Sequence, residues 1–310
     1  MITIYKTTTN VLEKLEQVVD GCWIDVIDPT TDEIQQLTAL NIPQDFITYP
    51  LDIDERARIE REDDGKILIV LRIPYFQGIK VDIPFVTIPL GVVLTDRFIM
   101  TVCRRESEVL QEFTSGRLRG FSTGKRNRFL LRILLFAASQ FLAYQRQINK
   151  AVEQLEDRFE KNIRNHEVMA MVKYQKSLVY FATALRANLL MVERLHRARM
   201  FEIYPEDEDL LEDVITETQQ ANEMVTITSN ILAHTMENFG TIVSNNLNRV
   251  MRFLASITIV LSIPTIITSF YGMNVVLPFM DNPLAYMIII GITMAVALMV
   301  VFIFMKRDWF

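Results

Sequence analysis

Asn274 closes a line of small and polar residues that runs back along the chain at helical spacing. Alternate steps of four and three lead from Ser244 through Asn248, Met251, Ala255, Thr258, Ser262 and Thr265 to Ser269, and backward through Thr241, Glu237, His234, Asn230 and Glu223. Such steps keep side chains on one face of a supercoiled helix. Four of the six hydroxyl residues between 253 and 271 lie on that face; Ser256 and Thr268 do not. The length of the line favours a water-filled lumen, because polar groups continued over such a distance want water or ions. Two other readings fit the same pattern: hydroxyls bonding back to their own helix, or small residues packing on a neighbour.

The line must be held by something long and membrane-compatible. Residues 253–271 and 284–305 are apolar stretches of roughly 28 and 33 Å as helices, enough to cross a hydrocarbon core of about 30 Å. Arg249, Arg252, Lys306 and Arg307 flank them, whereas the connection carries no Lys or Arg. The positive-inside rule therefore puts both termini in the cytoplasm of a cell-membrane protein and Gly272-Met273-Asn274 outside. No signal peptide is expected, since the amino terminus is polar and Thr-rich. Two spans cannot enclose a channel, so a pore requires self-association, with the polar first span around the axis and the aliphatic second span toward lipid.

Upstream, the chain reads as ordinary soluble protein. Residues 1–115 form an expected α/β domain, with strands at Met1 to Tyr5, Cys22 to Val26, Ile67 to Ile73, Phe85 to Leu94 and Phe98 to Cys103. Helical patches are expected near Thr31 to Leu40 and Gln44 to Asp52. Residues 116–204 read as a long helical hairpin arm, turning near Asn162 to Glu167, since Lys125 to Tyr204 lacks Gly and Pro. Pro205 and the acids after it suit a helix start, and 205–252 reads as a stalk helix entering the first span. The remaining divisions are the spans 253–271 and 284–305, the outer loop 272–283 and the tail 306–310. The fold class is thus an α+β cytoplasmic domain with a helical arm and stalk, plus two carboxy-terminal transmembrane helices.

Charge is unevenly spread, at −9 over residues 1–115, +11 over 116–199 and −8 over 200–310. The basic charges alternate with apolar residues at helical spacing and bring no recognition motif, which argues against nucleic acid. Acidic and basic segments can instead satisfy one another within or between subunits, and leftover acidic surface attracts cations. Cys22 and Cys103 fall in expected strands, as buried free thiols of a reducing compartment. No phosphate loop, metalloprotease histidine pair or serine elbow is present, so an anchored enzyme is disfavoured. His166, His196 and His234 are scattered; His234 with Glu237 could bind zinc or cobalt in a shared lumen. A membrane scaffold would leave the polar line unexplained.

Tyr271-Gly272-Met273-Asn274 between two terminal spans, the long preceding helix, the Lys-Arg-Asp-Trp-Phe tail and Cys22-Trp23-Ile24-Asp25-Val26 together resemble the CorA family of divalent-metal transporters. The resemblance implies a funnel-shaped homopentamer that takes up Mg²⁺, with Co²⁺ or Ni²⁺ uptake or Zn²⁺ transport as alternatives. It implies a selectivity filter at Gly272, Met273 and Asn274. Its pore positions match Asn248, Met251, Leu254 and Thr265, with Met251 and Leu254 at a hydrophobic constriction; Glu237, Ser244, Thr258, Ser262 and Ser269 join them from the polar line. Gly272 is expected to allow a tight turn. The inner-span proline falls one residue late, at Pro264, Ser262 replaces a usual methionine, and the outer loop carries only Asp281. For a regulatory Mg²⁺ between subunits, the stalk acid is Asp213. Its usual partner acid matches Tyr49, leaving Asp52, Asp54 or Glu55 as substitutes.

Overall fold

The computed structural model describes residues 1–8, 11–115, 118, 120–161, 165–198, 205–275, 277–278 and 283–307. It divides into two units, Met1–His234 and Thr235–Phe310. The first unit holds a seven-stranded sheet of β1 (Ile2–Thr8), β2 (Val11–Leu15), β3 (Trp23–Ile27), β4 (Arg58–Arg61), β5 (Ile67–Phe76), β6 (Phe85–Leu94) and β7 (Ile99–Cys103), in the order β2-β1-β3-β7-β6-β5-β4. β3 and β7 run parallel, and every other neighbouring pair is antiparallel.

Both faces of the central strands are buried, and the alternation of side chains sorts them into two cores. Ile67, Ile69, Leu71 and Ile73 of β5 point into one, and Leu68 and Val70 into the other. The second core is closed by α1 (Thr31–Thr38) and α2 (Gln44–Thr48), through Leu37, Phe46 and Ile47. Thr30 and Glu33 form a reciprocal capping box that fixes the start of α1. The first core is closed by α3 (Glu108–Thr114), α4 (Arg126–Lys161), α5 (Asn165–Ala198) and the first turns of α6 (Pro205–Tyr271), supplying Phe113, Phe129, Val192 and Val214 among others. Trp23 sits at its centre, stacked on Tyr5 and edge-on to Phe113 and Phe129. Burying each such side chain contributes about 1.5–3 kcal/mol.

Side-chain bonds register the amino-terminal half of α6 against α4 and α5. Arg128 Nε donates to Asp207 at 2.6 Å, Gln145 Nε2 to Thr228 Oγ1 at 2.7 Å and Gln175 Nε2 to Ser229 Oγ at 3.3 Å. Sheet closure uses another polar device. Arg72 of β5 faces Pro89 of β6 and lies beyond the end of β4, so its backbone N–H and C=O have no strand partner on that side. Asn188 of α5 supplies both, accepting from Arg72 N at 2.9 Å and donating to Arg72 O at 2.7 Å.

The elements differ from the sequence reading at specific places. β2, β4 and α3 are additional, each being only four to seven residues long. The patch at Gln44 to Asp52 breaks into α2 and a 3-10 turn at Tyr49–Leu51, where Pro50 packs against Gly91 of β6. A Cβ at Gly91 would collide with that proline ring. The turn at Thr95 is closed by its N–H to Phe98 O at 3.1 Å, and both cysteines are buried and free. The turn expected near Asn162 to Glu167 falls in part on residues 162–164, which lie outside the described residues.

Candidate ion-conduction pathway

In the second unit, the carboxy-terminal part of α6 and α7 (Ala285–Lys306) are each long and apolar enough to cross a membrane. Their mutual packing is legible from which side chains are covered. Along α6, Ser256 is fully buried and Val260, Ile263, Pro264, Ile267 and Tyr271 are partly covered. Along α7 the partly covered positions are Ile289, Thr293, Ala297, Val300, Val301 and Phe304. Ile267 and Tyr271 line one apolar pocket with Ile289 and Ile292. These are the facing stripes of two packed helices.

The polar line lies on the opposite side of α6. Thr258 and Thr265 stand two positions from Val260 and Ile267, a turn of about 200°. Ser244, Asn248, Met251, Leu254, Thr258, Thr265 and Ser269 are exposed, and Ser262 is partly so; Glu237 is also exposed. Met251 and Leu254 place bulky apolar groups on this open surface, each more than half exposed, at 58% and 52%.

The hydroxyls do bond back to the helix. Thr258 Oγ1 donates to Leu254 O at 2.8 Å, Ser262 Oγ to Thr258 O at 2.7 Å and Thr265 Oγ1 to Leu261 O at 3.1 Å. Back-bonding and a wet lumen are therefore compatible. Each hydroxyl has one proton and two lone pairs, so donating inward leaves an oxygen that can only accept from outside. The face is acceptor-rich in the sense a hydrated cation requires.

Gly272 N–H caps α6 by bonding Thr268 O at 3.0 Å and Ser269 O at 3.2 Å, and Met273 and Asn274 follow, both exposed. Gly272 is not left-handed, and a Cβ there would meet those carbonyls at 3.4 Å, so the turn does not depend on glycine's conformational freedom. Asp281 lies outside the described residues, as does the side chain of His166. His234 and Glu237 are both exposed, and among the described residues no three His, Cys, Asp or Glu side chains converge as a metal site.

The acids near the first unit's surface are organised differently. Asp213 is exposed on α6. Asp52 Oδ1 accepts the N–H of Asp54 at 3.0 Å, both carboxylates being exposed, and Glu55 is ion-paired with Arg58. Arg72 secures this loop from behind, with Nη1 donating to Ile53 O at 2.6 Å and Glu55 O at 2.8 Å. Sequence reasoning passed over Arg72, although it is the one charged residue in the ten-residue run of β5.

Residues 19–307 match the family described as CorA-like Mg2+ transporter protein. The chain belongs to the CorA family. Its members are transporters rather than enzymes. A curated relative, the cobalt/magnesium transport protein CorA of Methanocaldococcus jannaschii, is 26% identical over 300 residues, covering 93% of this chain and 90% of its own. The complete structure of the CorA magnesium transporter from that organism superposes with a TM-score of 0.84 at 24% identity, over 100% of this chain and 99% of the other. The full-length CmaX protein gives a TM-score of 0.73 at 13% identity, with 96% of each chain covered. At these identities the structural likenesses speak for the fold alone.

Proposed function

We propose that this chain assembles as a homopentamer in the cell membrane, with both termini cytoplasmic, and conducts Mg²⁺ inward along an axis lined by α6. One observation carries the reading: the acceptor-rich line of α6 faces away from α7 and ends at Gly272-Met273-Asn274. Mg²⁺ sheds water reluctantly and prefers octahedral oxygen ligation, so a ring of Asn274 amide oxygens accepts from the hydrated ion at the outer mouth. Thr265, Ser262 and Thr258 continue as acceptor rings. Met251 and Leu254 close the path by dewetting, because apolar rings exclude the ion's water. Asn248, Ser244 and Glu237 receive the ion on the cytoplasmic side.

Co²⁺ and Ni²⁺ share Mg²⁺'s preference for six ligands and belong to the same reading, and the name of the curated relative supports the first. Zn²⁺ transport is the alternative within the fold. Cytoplasmic Mg²⁺ closes the pore by bridging Asp213 of one subunit to Asp52 or Asp54 of another. One subunit's loop offers two exposed carboxylates, and Mg²⁺, which keeps several waters, is held by one or two carboxylates in all, so one from each subunit suffices. Glu55 is the poorest candidate, being held by Arg58.

The test is ion flux into proteoliposomes of the purified protein, with Mg²⁺, Co²⁺, Ni²⁺ and Zn²⁺ compared. Asn274→Ala is expected to abolish Mg²⁺ entry while the oligomer elutes unchanged. Near-normal flux in that variant would remove Asn274 from the filter, and no flux of any ion in the wild type would remove the transport reading.

A further inference from the structure

The amino-terminal half of α6 lies in the groove between α4 and α5, since consecutive residues bond to the two neighbours, Thr228 to Gln145 of α4 and Ser229 to Gln175 of α5. Met224, Ile227 and Ile231 are large apolar side chains left exposed there. Met224 and Ile231 stand one turn either side of Thr228, so this stripe runs along the flank of α6 nearer α4. Asp209, also exposed, extends the same flank toward the helix start, and residues 200–248 contain no Lys or Arg.

α5 lies on the other side of α6 and carries the complement. Val179, Tyr180, Arg186, Leu190 and Arg194 form one exposed helical stripe, and among the described residues the two arginines make no hydrogen bond or ion pair. The β5–β6 connection adds exposed Ile79, tied to α5 by Lys173 Nζ donating to Val81 O at 3.0 Å and by Lys176 Nζ on Asp82 at 2.9 Å. The Gln175–Ser229 bond sets the relative level of the helices, and α5 runs antiparallel to α6, since its later residues Val192 and Leu195 share a core with Leu211 and Val214. Counting equal helical rises from that bond, Val179 and Tyr180 fall level with Val225 and Met224, the Lys173 tie of the Ile79 tip with Ile231, and Arg194 with Leu210, next to Asp209.

We propose that, in the ring of copies put forward above, the α5 stripe of one copy docks on the α6 flank of the next, with Val179 and Tyr180 packed on Met224 and Ile227 and Arg194 paired with Asp209. A cyclic ring joins two different surfaces of each copy, and these two lie on opposite sides of α6. Rotation about an axis that follows α6 moves one copy onto the next without changing level. Apolar residues therefore meet apolar ones, and a cation meets an acid, at matching heights. Removing the apolar stripes from water drives the contact, and the Arg194–Asp209 pair fixes which level of one helix faces which level of the other.

The test is crosslinking of the full-length protein in detergent with a short bismaleimide. Val179→Cys combined with Met224→Cys puts one thiol on each surface, so a ladder of covalent oligomers up to the whole ring is expected. Either single variant can give no more than a dimer, and the wild type, whose Cys22 and Cys103 are buried, should give no ladder. Tyr180→Cys with Ile227→Cys repeats the measurement on a second pair. Adding Arg194→Glu to the first pair is expected to slow ladder formation about fivefold, and Asp209→Arg on top of it to restore the rate to within about twofold. Oligomers of wild-type size that give no ladder from either cysteine pair overturn the inference and leave the ring standing, as does a rate that Arg194→Glu leaves unchanged. A wild-type protein that elutes as a monomer would instead sink the homopentamer, and this contact with it.

Discussion

Thr101 of β7 donates its hydroxyl proton to Asp25 of β3 at 2.8 Å, across a register pair of the only parallel strands among those described. The same hydroxyl accepts from Trp23 Nε1 at 2.8 Å, so the carboxyl group is the terminus of a short polar chain inside the main core. Asp25 is only 7% exposed. Burial raises its pKa to about 6, Thr101 opposes the rise and Glu106 adds to it.

Asp25 therefore makes stability depend on pH. Its folded pKa lies above its unfolded value, so its contribution is fully present below about pH 4 and is lost as pH rises through about 6. Asp25→Asn keeps an oxygen for Thr101 and removes the buried charge. It should raise stability at pH 8 by about 1–3 kcal/mol and change little at pH 4.5. Denaturation at the two pH values checks this; equal effects at both would show that ionisation is not the cause.

Arg128 and Asp207 link α4 to the start of α6, and Asp207 is buried. Arg128→Met strands a buried carboxylate and should cost about 3–5 kcal/mol. Adding Asp207→Asn should recover at least half of that loss, because the stranded charge goes with it. Chemical denaturation of the wild type, both single variants and the double variant closes the cycle; strict additivity would mean the two side chains do not depend on one another.

Local pattern made some of this visible and left the rest hidden. Phe85 to Leu94 was legible as a strand because it is apolar and rich in β-branched residues, and the line through Thr258 and Thr265 was legible because helical period survives in sequence. β2 and β4 are short edge strands, and β4 in particular is polar (Arg58-Ile59-Glu60-Arg61), so their pairing comes from the neighbour rather than from their own composition. The Asn188–Arg72 bridge joins positions 116 residues apart, which periodicity cannot report. Asp25 read as one letter of a family-like motif, and its burial emerges only once α3 and α4 cover β3. The direction of each hydroxyl proton along α6 likewise depends on rotamers, not spacing.

Met251 carries the gate of the proposed pore. It is exposed on the open face of α6 beside Leu254, and a ring of thioether side chains there offers water only weak acceptors. Met251→Ser should wet the constriction and raise Mg²⁺ flux severalfold at millimolar internal Mg²⁺. A proteoliposome preloaded with Mg²⁺ reads this directly; a variant no leakier than wild type would move the gate to another ring.

Thr258 offers the sharpest test of the acceptor face. Its hydroxyl proton is committed to Leu254 O, leaving lone pairs for water bound to a passing ion. Thr258→Val preserves shape and removes the oxygen, whereas Thr258→Ser preserves the oxygen and the bond to Leu254. Losing one net hydrogen bond of about 1 kcal/mol per subunit should lower Mg²⁺ flux at least fivefold in the valine variant. The serine variant should conduct within about twofold of wild type. Because a loosened helix would impair both, Tm is measured alongside, and valine and serine variants of equal flux and equal Tm would mean that Thr258 does not contact the hydrated ion.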